Sequence, residues 1–308
     1  MGEREPATAL RCVGLAISVV ALVFVLAEVD RSLGELSEYF GSSRFLTAIA
    51  ICAVAYGFVF QFVSIAWHRL LIAIDGPSLS IWRALAIVGR TQIYKYLPSN
   101  VLHMVGRFAI AREAGASHAA LAFAQIGEVS IVILATVAVA ALLAGSVLAA
   151  ALARFGLTDP ELVTTLIAAA FVIVTVGVVL LLHSRMRAIG YKALGASAEA
   201  FCLYVLFLVG NGMLIFVLSR SLSDGGGDTP ANLIGIGATA WLMGFVVPGA
   251  PGGLGVREAV LVLGLSATGF PVAAATAVAL GYRLVTIVGD GLIAVCELGI
   301  RRFRRRQR

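Results

Sequence analysis

The chain has 308 residues, 60% of them hydrophobic and only 13% charged, and its mean hydropathy is +0.99. Soluble domains carry about a quarter charged residues, so this composition excludes a soluble globular protein and predicts an all-α, polytopic integral membrane protein. The net charge of +6 is read as a topology signal and not as a nucleic-acid surface, because the basic residues cluster at the ends of apolar runs.

In chain order, apolar windows long enough to cross a bilayer as helices fall at about 10–28, 45–67, 118–146, 161–183, 199–220 and 271–298. The first is too long for a signal-peptide core, and Glu28, Val29 and Asp30 after it make a poor cleavage site. It is therefore expected to stay as a signal-anchor helix. Asp30–Arg44, with Leu33, Leu36 and Phe40 set against Arg31, Glu35 and Glu38, predicts a short amphipathic surface helix. Two further apolar regions, about 81–112 and 231–268, are broken by Pro98 and by the Pro248–Gly255 stretch. Each is expected to form two half-helices, a re-entrant hairpin. Cys12, Cys52, Cys202 and Cys296 lie far apart within apolar spans and show neither metal spacing nor a disulfide framework.

Six crossings and two hairpins, with both termini in the cytoplasm, satisfy the positive-inside rule. Arg4, Arg11, Arg69, Arg83, Arg112, Arg185, Arg187, Lys192 and the six arginines of 301–308 then lie inside. Only Arg31, Arg44, Arg154 and Arg220 lie outside, fourteen against four. The expected location is the inner (plasma) membrane.

The chain also repeats itself. Pro98 precedes Arg107 by nine residues and Pro248 precedes Arg257 by nine; Gly115 then Glu128 matches Gly269 then Arg283. Two halves, about 10–146 and 161–298, each hold two spans, a broken hairpin and a third span. Three crossings is an odd number, so the second copy is inverted within one transmembrane domain covering 1–308, and the two hairpin tips are expected to meet.

The stretch from Val247 to Glu258 carries most of the functional signal. Pro248 and Pro251 stop a helix, and Gly252, Gly253 and Gly255 let the chain turn and approach a ligand. A new helix is expected to start near Gly253. Backbone leaving a helix at membrane depth must be shielded by protein or line a cavity, and a helix N-terminus there favours an anion. Charged residues at membrane depth pair with one another or line a cavity. Glu128, Glu258 and Asp290 are accordingly expected to balance Arg107, Arg257 and Arg283 around a polar cavity. Buried ion pairs that only lock helix packing would give the same pattern. Asp290 is seven residues from Arg283, on the same helix face. The first hairpin adds Lys95, Asn100 and His103, with tyrosines suited to an interfacial level. Arg90 is expected to snorkel, Arg107 to be buried, and Asn211 to bond between helices. The four histidines do not form a metal set, and no cofactor is expected. No Gly-x-Ser-x-Gly, Walker loop, Rossmann fingerprint or His-Glu-x-x-His occurs, so the chain is not expected to be an enzyme.

Pro251-Gly252-Gly253-Leu254-Gly255-Val256-Arg257-Glu258, then Gly269 and Arg283, resembles the lysylphosphatidylglycerol synthase transmembrane-region family, the flippase portion of the multiple peptide resistance factor and its stand-alone relatives. Leu97-Pro98, Gly106-Arg107, Arg112, Gly115 and Glu128 are similar to the same family, and the resemblance runs over essentially the whole chain. It implies translocation of a lipid with a charged headgroup, aminoacylated phosphatidylglycerol or a polyprenyl-phosphate-linked sugar. With only a tail to Arg308 after the last span, synthase activity is expected to be absent. The partners implied are an anionic or aminoacylated membrane lipid and a separate lipid-modifying enzyme; a homo-oligomer is compatible, and nucleic acid is not expected. Two alternatives stay open: a proton-coupled transporter of a small soluble anion, and a non-catalytic scaffold for a lipid-modifying enzyme or glycosyltransferase.

Overall fold

The computed structural model describes residues 4–76, 79–96, 102–143, 159, 169, 191–222, 229–247 and 251–306. Among these there is no strand: the chain folds as helices α1 (Arg4–Arg31), α2 (Leu33–Gly41), α3 (Ser43–Val59), α4 (Gln61–Asp75), α5 (Ile81–Gln92), α6 (Leu102–Glu113) and α7 (His118–Leu143). Then follow α8 (Tyr191–Leu222), α9 (Pro230–Val246), α10 (Val256–Ala267) and α11 (Val272–Arg306), with 3-10 turns at Ile93–Tyr96 and Pro251–Gly253. Four segments are long and apolar enough to cross a membrane: Ser43–Asp75, His118–Leu143, Lys192–Leu222 and Val272–Leu298. They coincide with four of the expected spans. The window at 10–28 lies within α1, and 161–183 lies almost wholly outside the described residues, as do Pro98, Asn100 and Pro248. The expected surface helix is α2, with Leu36 buried.

α8 is the central post, packed on α3, α4, α7, α9 and α11. It lies close against α9, where Gly212 meets the Ile234 backbone and Gly237 meets Ile215. On the other side Gly289 of α11 lies against Tyr56 of α3, with the Ala53 carbonyl 3.0 Å from where a Cβ would stand. Apolar helices gain little from burying apolar surface in lipid, so small residues that let backbones approach supply the packing. Phe45, Trp67, Leu70, Tyr204, Leu208 and Ile215 fill the core between these helices.

Both broken regions fold as paired short helices. α5 packs on α6 and α9 on α10, and the two 3-10 turns at their breaks touch each other. Both second helices have 12 residues and both end the same way. Gly115 (φ 102) and Gly269 (φ 96) turn the chain, and the next N–H donates five residues back, Ala116 to Ala111 at 3.1 Å and Phe270 to Leu265 at 3.2 Å. The register differs, since Arg107 precedes its glycine by eight residues and Arg257 by twelve, one helical turn more. Asp75 at the end of α4 accepts from the Ser117 backbone N–H and hydroxyl, and the Ser117 hydroxyl in turn accepts from Ala120 N. That capping fixes α7 relative to α4.

Candidate functional site

The two breaks, together with residues of α3–α11, line a partly open cavity whose solvent-sized space is about 90 Å³, in which charged side chains are set among mostly apolar surface. A single water needs about 10–15 Å³ by that measure, so there is room for a group of phosphate size. Lys95, Arg107, Glu128, Gly252, Gly253 and Arg257 lie on its wall. Glu258, Arg283 and Asp290 stand behind the wall, and Gly255 caps α10.

Three ion pairs surround the cavity. Arg107 Nη1 donates to both Glu128 oxygens at 2.8 and 2.7 Å, with the guanidinium over Trp67, its carbon 5.5 Å from the ring centre. Arg107 is 1% exposed and Glu128 7%, so the cation is fully withdrawn while Arg90 stays exposed. Lys95 Nζ lies 2.7 Å from Asp290 Oδ2, which also accepts from the Tyr96 hydroxyl at 2.6 Å. Tyr56 donates to Asp290 Oδ1 at 3.3 Å. Arg283 Nη1 donates to the Gly252 carbonyl at 3.0 Å and lies 3.3 Å from Glu258 Oε1.

Arg257 is the fourth cation, and among the described residues no carboxylate stands within 4.0 Å of it. Its guanidinium lies over Trp241, 5.6 Å from the ring centre. Gly244 and Gly253 leave room for its stem: a Cβ at Gly253 would stand 2.7 Å from Arg257 Nε, and one at Gly244 would overlap the Arg257 side chain. Arg257 Nε, Arg107 Nε, Arg283 Nε, His103 Nδ1 and Glu258 Oε2 are all buried without a hydrogen-bond partner. Such atoms normally have partners, and leaving one unmade costs on the order of 1–3 kcal/mol. Their concentration around one cavity leaves hydrogen-bonding capacity there that a water or a polar ligand could take up.

The expected grouping of three acids with buried basic residues is present, but the partners differ. Asp290 pairs with Lys95 and not with an arginine, Glu258 pairs with Arg283 and not with its neighbour, and Arg257 is left over. Asn211 accepts from the Tyr282 hydroxyl across to α11, as an interhelical bond. The helix expected to start near Gly253 starts at Val256, because Gly252, Gly253 and Gly255 all take left-handed φ values of 57, 74 and 79°. Trp241, Gly244 and Tyr56 were not indicated by sequence reasoning, and Tyr96, expected at an interfacial level, donates to Asp290. An aromatic on an apolar helix reads as core, and only the three-residue spacing of Trp241 and Gly244 hinted at a shared face.

Among the described residues no group of His, Cys, Asp or Glu side chains comes together to hold a metal ion. Neither protein-family models nor curated proteins give a match to the chain.

Proposed function

We propose that the chain is a membrane lipid flippase or scramblase that moves a lipid with a charged headgroup, holding its phosphate at Arg257. The observation that carries this reading is a guanidinium without an ionic partner among the described residues, on the wall of a cavity where two helix breaks meet, among helices apolar enough to span a bilayer. Broken helices at membrane depth are the recurrent binding elements of transporters. In this reading the two hairpins are re-entrant and the halves form an inverted repeat; the matching 12-residue helices and glycine caps support that plan. The headgroup enters the cavity while acyl chains stay in the bilayer through a lateral opening. The membrane is the plasma membrane, with the arginine-rich end of α11 on the cytoplasmic side. The resemblance of the motifs around Arg107 and Arg257 to the lysylphosphatidylglycerol synthase transmembrane-region family is in keeping with this reading, in which a separate enzyme would modify the lipid.

The test is purified protein in liposomes carrying fluorescent anionic, aminoacylated or polyprenyl-phosphate lipids in one leaflet. Native protein is expected to move one of these classes between leaflets, and Arg257→Ala to abolish the movement. Absence of movement for all three classes with native protein overturns the reading. The size of the cavity also favours a second one, transport of a free anion of headgroup size. Uptake of a labelled soluble anion by the same vesicles, without lipid movement, would establish it.

A further inference from the structure

Charge arithmetic around the cavity points to the valence of what it binds. Lys95, Arg107, Arg257 and Arg283 supply four positive charges and Glu128, Glu258 and Asp290 three negative ones, with Lys95, Arg107 and Arg283 each paired at 2.7–3.3 Å. The segments that complete the two breaks, 97–101 and 248–250, contain no ionisable side chain, so they do not change the count. Among the described residues the site therefore carries one uncompensated positive charge.

Resting on the anionic-lipid reading above, we propose that this cavity is selective for a single monoanionic phosphodiester and rejects the dianionic phosphomonoester. An unpaired charge in a medium of low polarity is costly, and so is a second one of either sign. A phosphodiester brings one negative charge and leaves the cavity neutral. A phosphomonoester above its second ionisation, near pH 6, brings nearly two and leaves the cavity with one in excess. That excess would face Glu128 on the wall and the buried, unpartnered Glu258 Oε2 behind it. Nor, among the described residues on the wall, is there a spare cation to take it up, because freeing Lys95 or Arg107 strips Asp290 or Glu128 of its counter-charge. Hydrogen-bonding capacity fits the same ligand. Arg257 Nε is a buried donor without a partner, and His103 Nδ1, with matching free capacity, sits on the opposite hairpin. Together they suit the two non-bridging oxygens that a phosphodiester presents.

The test measures binding to the full-length protein, purified in a non-ionic detergent at pH 8. The probes are dihexanoyl-phosphatidylglycerol, dihexanoyl-phosphatidic acid and dimethyl phosphate. Native protein is expected to bind the phosphatidylglycerol at least about tenfold more tightly than the phosphatidic acid. Arg257→Gln should lose that binding, whereas Arg257→Lys, which keeps the charge, should retain part of it. Glu128→Gln raises the net charge of the site by one and should shift the ratio toward phosphatidic acid by about tenfold or more. Asp290→Asn makes the same change from behind the wall and, assayed below its lowered unfolding temperature, stands in if Glu128→Gln does not purify folded. Equal or tighter binding of phosphatidic acid by native protein overturns the single-charge proposal and leaves the lipid reading intact. A ratio unmoved by the acidic substitutions overturns it as well. Dimethyl phosphate bound as tightly as phosphatidylglycerol supports the single-charge site and overturns its lipid source. Folded native protein that binds none of the three overturns the proposed function together with the valence.

Discussion

Asp290 and Arg283 project from one face of α11 and tie down different breaks. Seven residues on a straight α-helix return to within about 20° of the starting direction. Asp290 takes Lys95 and Tyr96 of the first break, while Arg283 takes the Gly252 carbonyl and Glu258 of the second. Two segments that lie more than 150 residues apart in sequence thus share a single strut.

Asp290→Asn removes the negative charge from a site that is 0% exposed and leaves the Lys95 ammonium without a counter-charge. Removing one partner of a buried ion pair costs about 3–5 kcal/mol. A marked fall in the unfolding temperature in detergent is expected, and Lys95→Met added to Asp290→Asn should recover most of it. A double variant no more stable than the single one would show that Asp290 matters through its tyrosine hydrogen bonds and not through charge.

Arg107 and Glu128 both line the cavity and bind each other through one nitrogen and two oxygens. A pair that only locks packing can be replaced by apolar residues with little loss of stability. Arg107→Met with Glu128→Leu is expected to stay folded, with an unfolding temperature near that of the native protein, and to lose lipid movement in liposomes. Retained movement would assign the pair to packing alone.

What the sequence makes readable here is what local chain chemistry dictates. Apolar length identified the four spans, because a helix that crosses a bilayer has no other composition available to it. Pro98 and the Pro248–Gly255 cluster announced breaks, since proline and glycine act on their own backbone. Boundaries were less legible: the left-handed Gly252, Gly253 and Gly255 delay α10 by a few residues, and composition does not encode φ. Ionic partners were hardest, because Lys95 and Asp290 are 195 residues apart and only packing on α11 decides that they meet. Arg257 and Glu258, adjacent in sequence, part company for the same reason: neighbours on a helix point some 100° apart.

The α8–α9 seam gives a packing prediction. A Cβ at Gly212 would overlap the Ile234 backbone, whereas one at Gly195 on the same helix meets nothing within 4 Å. Gly212→Ala should lower stability by about 1–3 kcal/mol through forced separation of the helices. Gly195→Ala should be neutral or slightly stabilising, as alanine is the better helix former. Thermal unfolding of the two variants in detergent checks the contrast, and equal effects would refute the close approach.

Gly253 and Gly269 separate strain from site. Both take left-handed φ, 74 and 96°, so alanine at either costs about 1–2 kcal/mol of backbone strain. They differ in what the new methyl meets. At Gly269 there is nothing within 4 Å, while at Gly253 the methyl would stand 2.7 Å from Arg257 Nε and 3.0 Å from its Cδ. Gly269→Ala is therefore expected to lose stability and keep its affinity for a phosphodiester. Gly253→Ala should lose comparable stability and, because the guanidinium is displaced from the cavity wall, about tenfold or more in that affinity. Unfolding temperature and short-chain phosphatidylglycerol binding, measured on both variants, read the two effects independently. Equal losses of affinity would mean that the position of Arg257 does not set the binding. A loss confined to Gly253→Ala would tie the glycine turn to the cation it accommodates, and would give the glycines of this break a role that its two prolines, which only stop the helix, do not have.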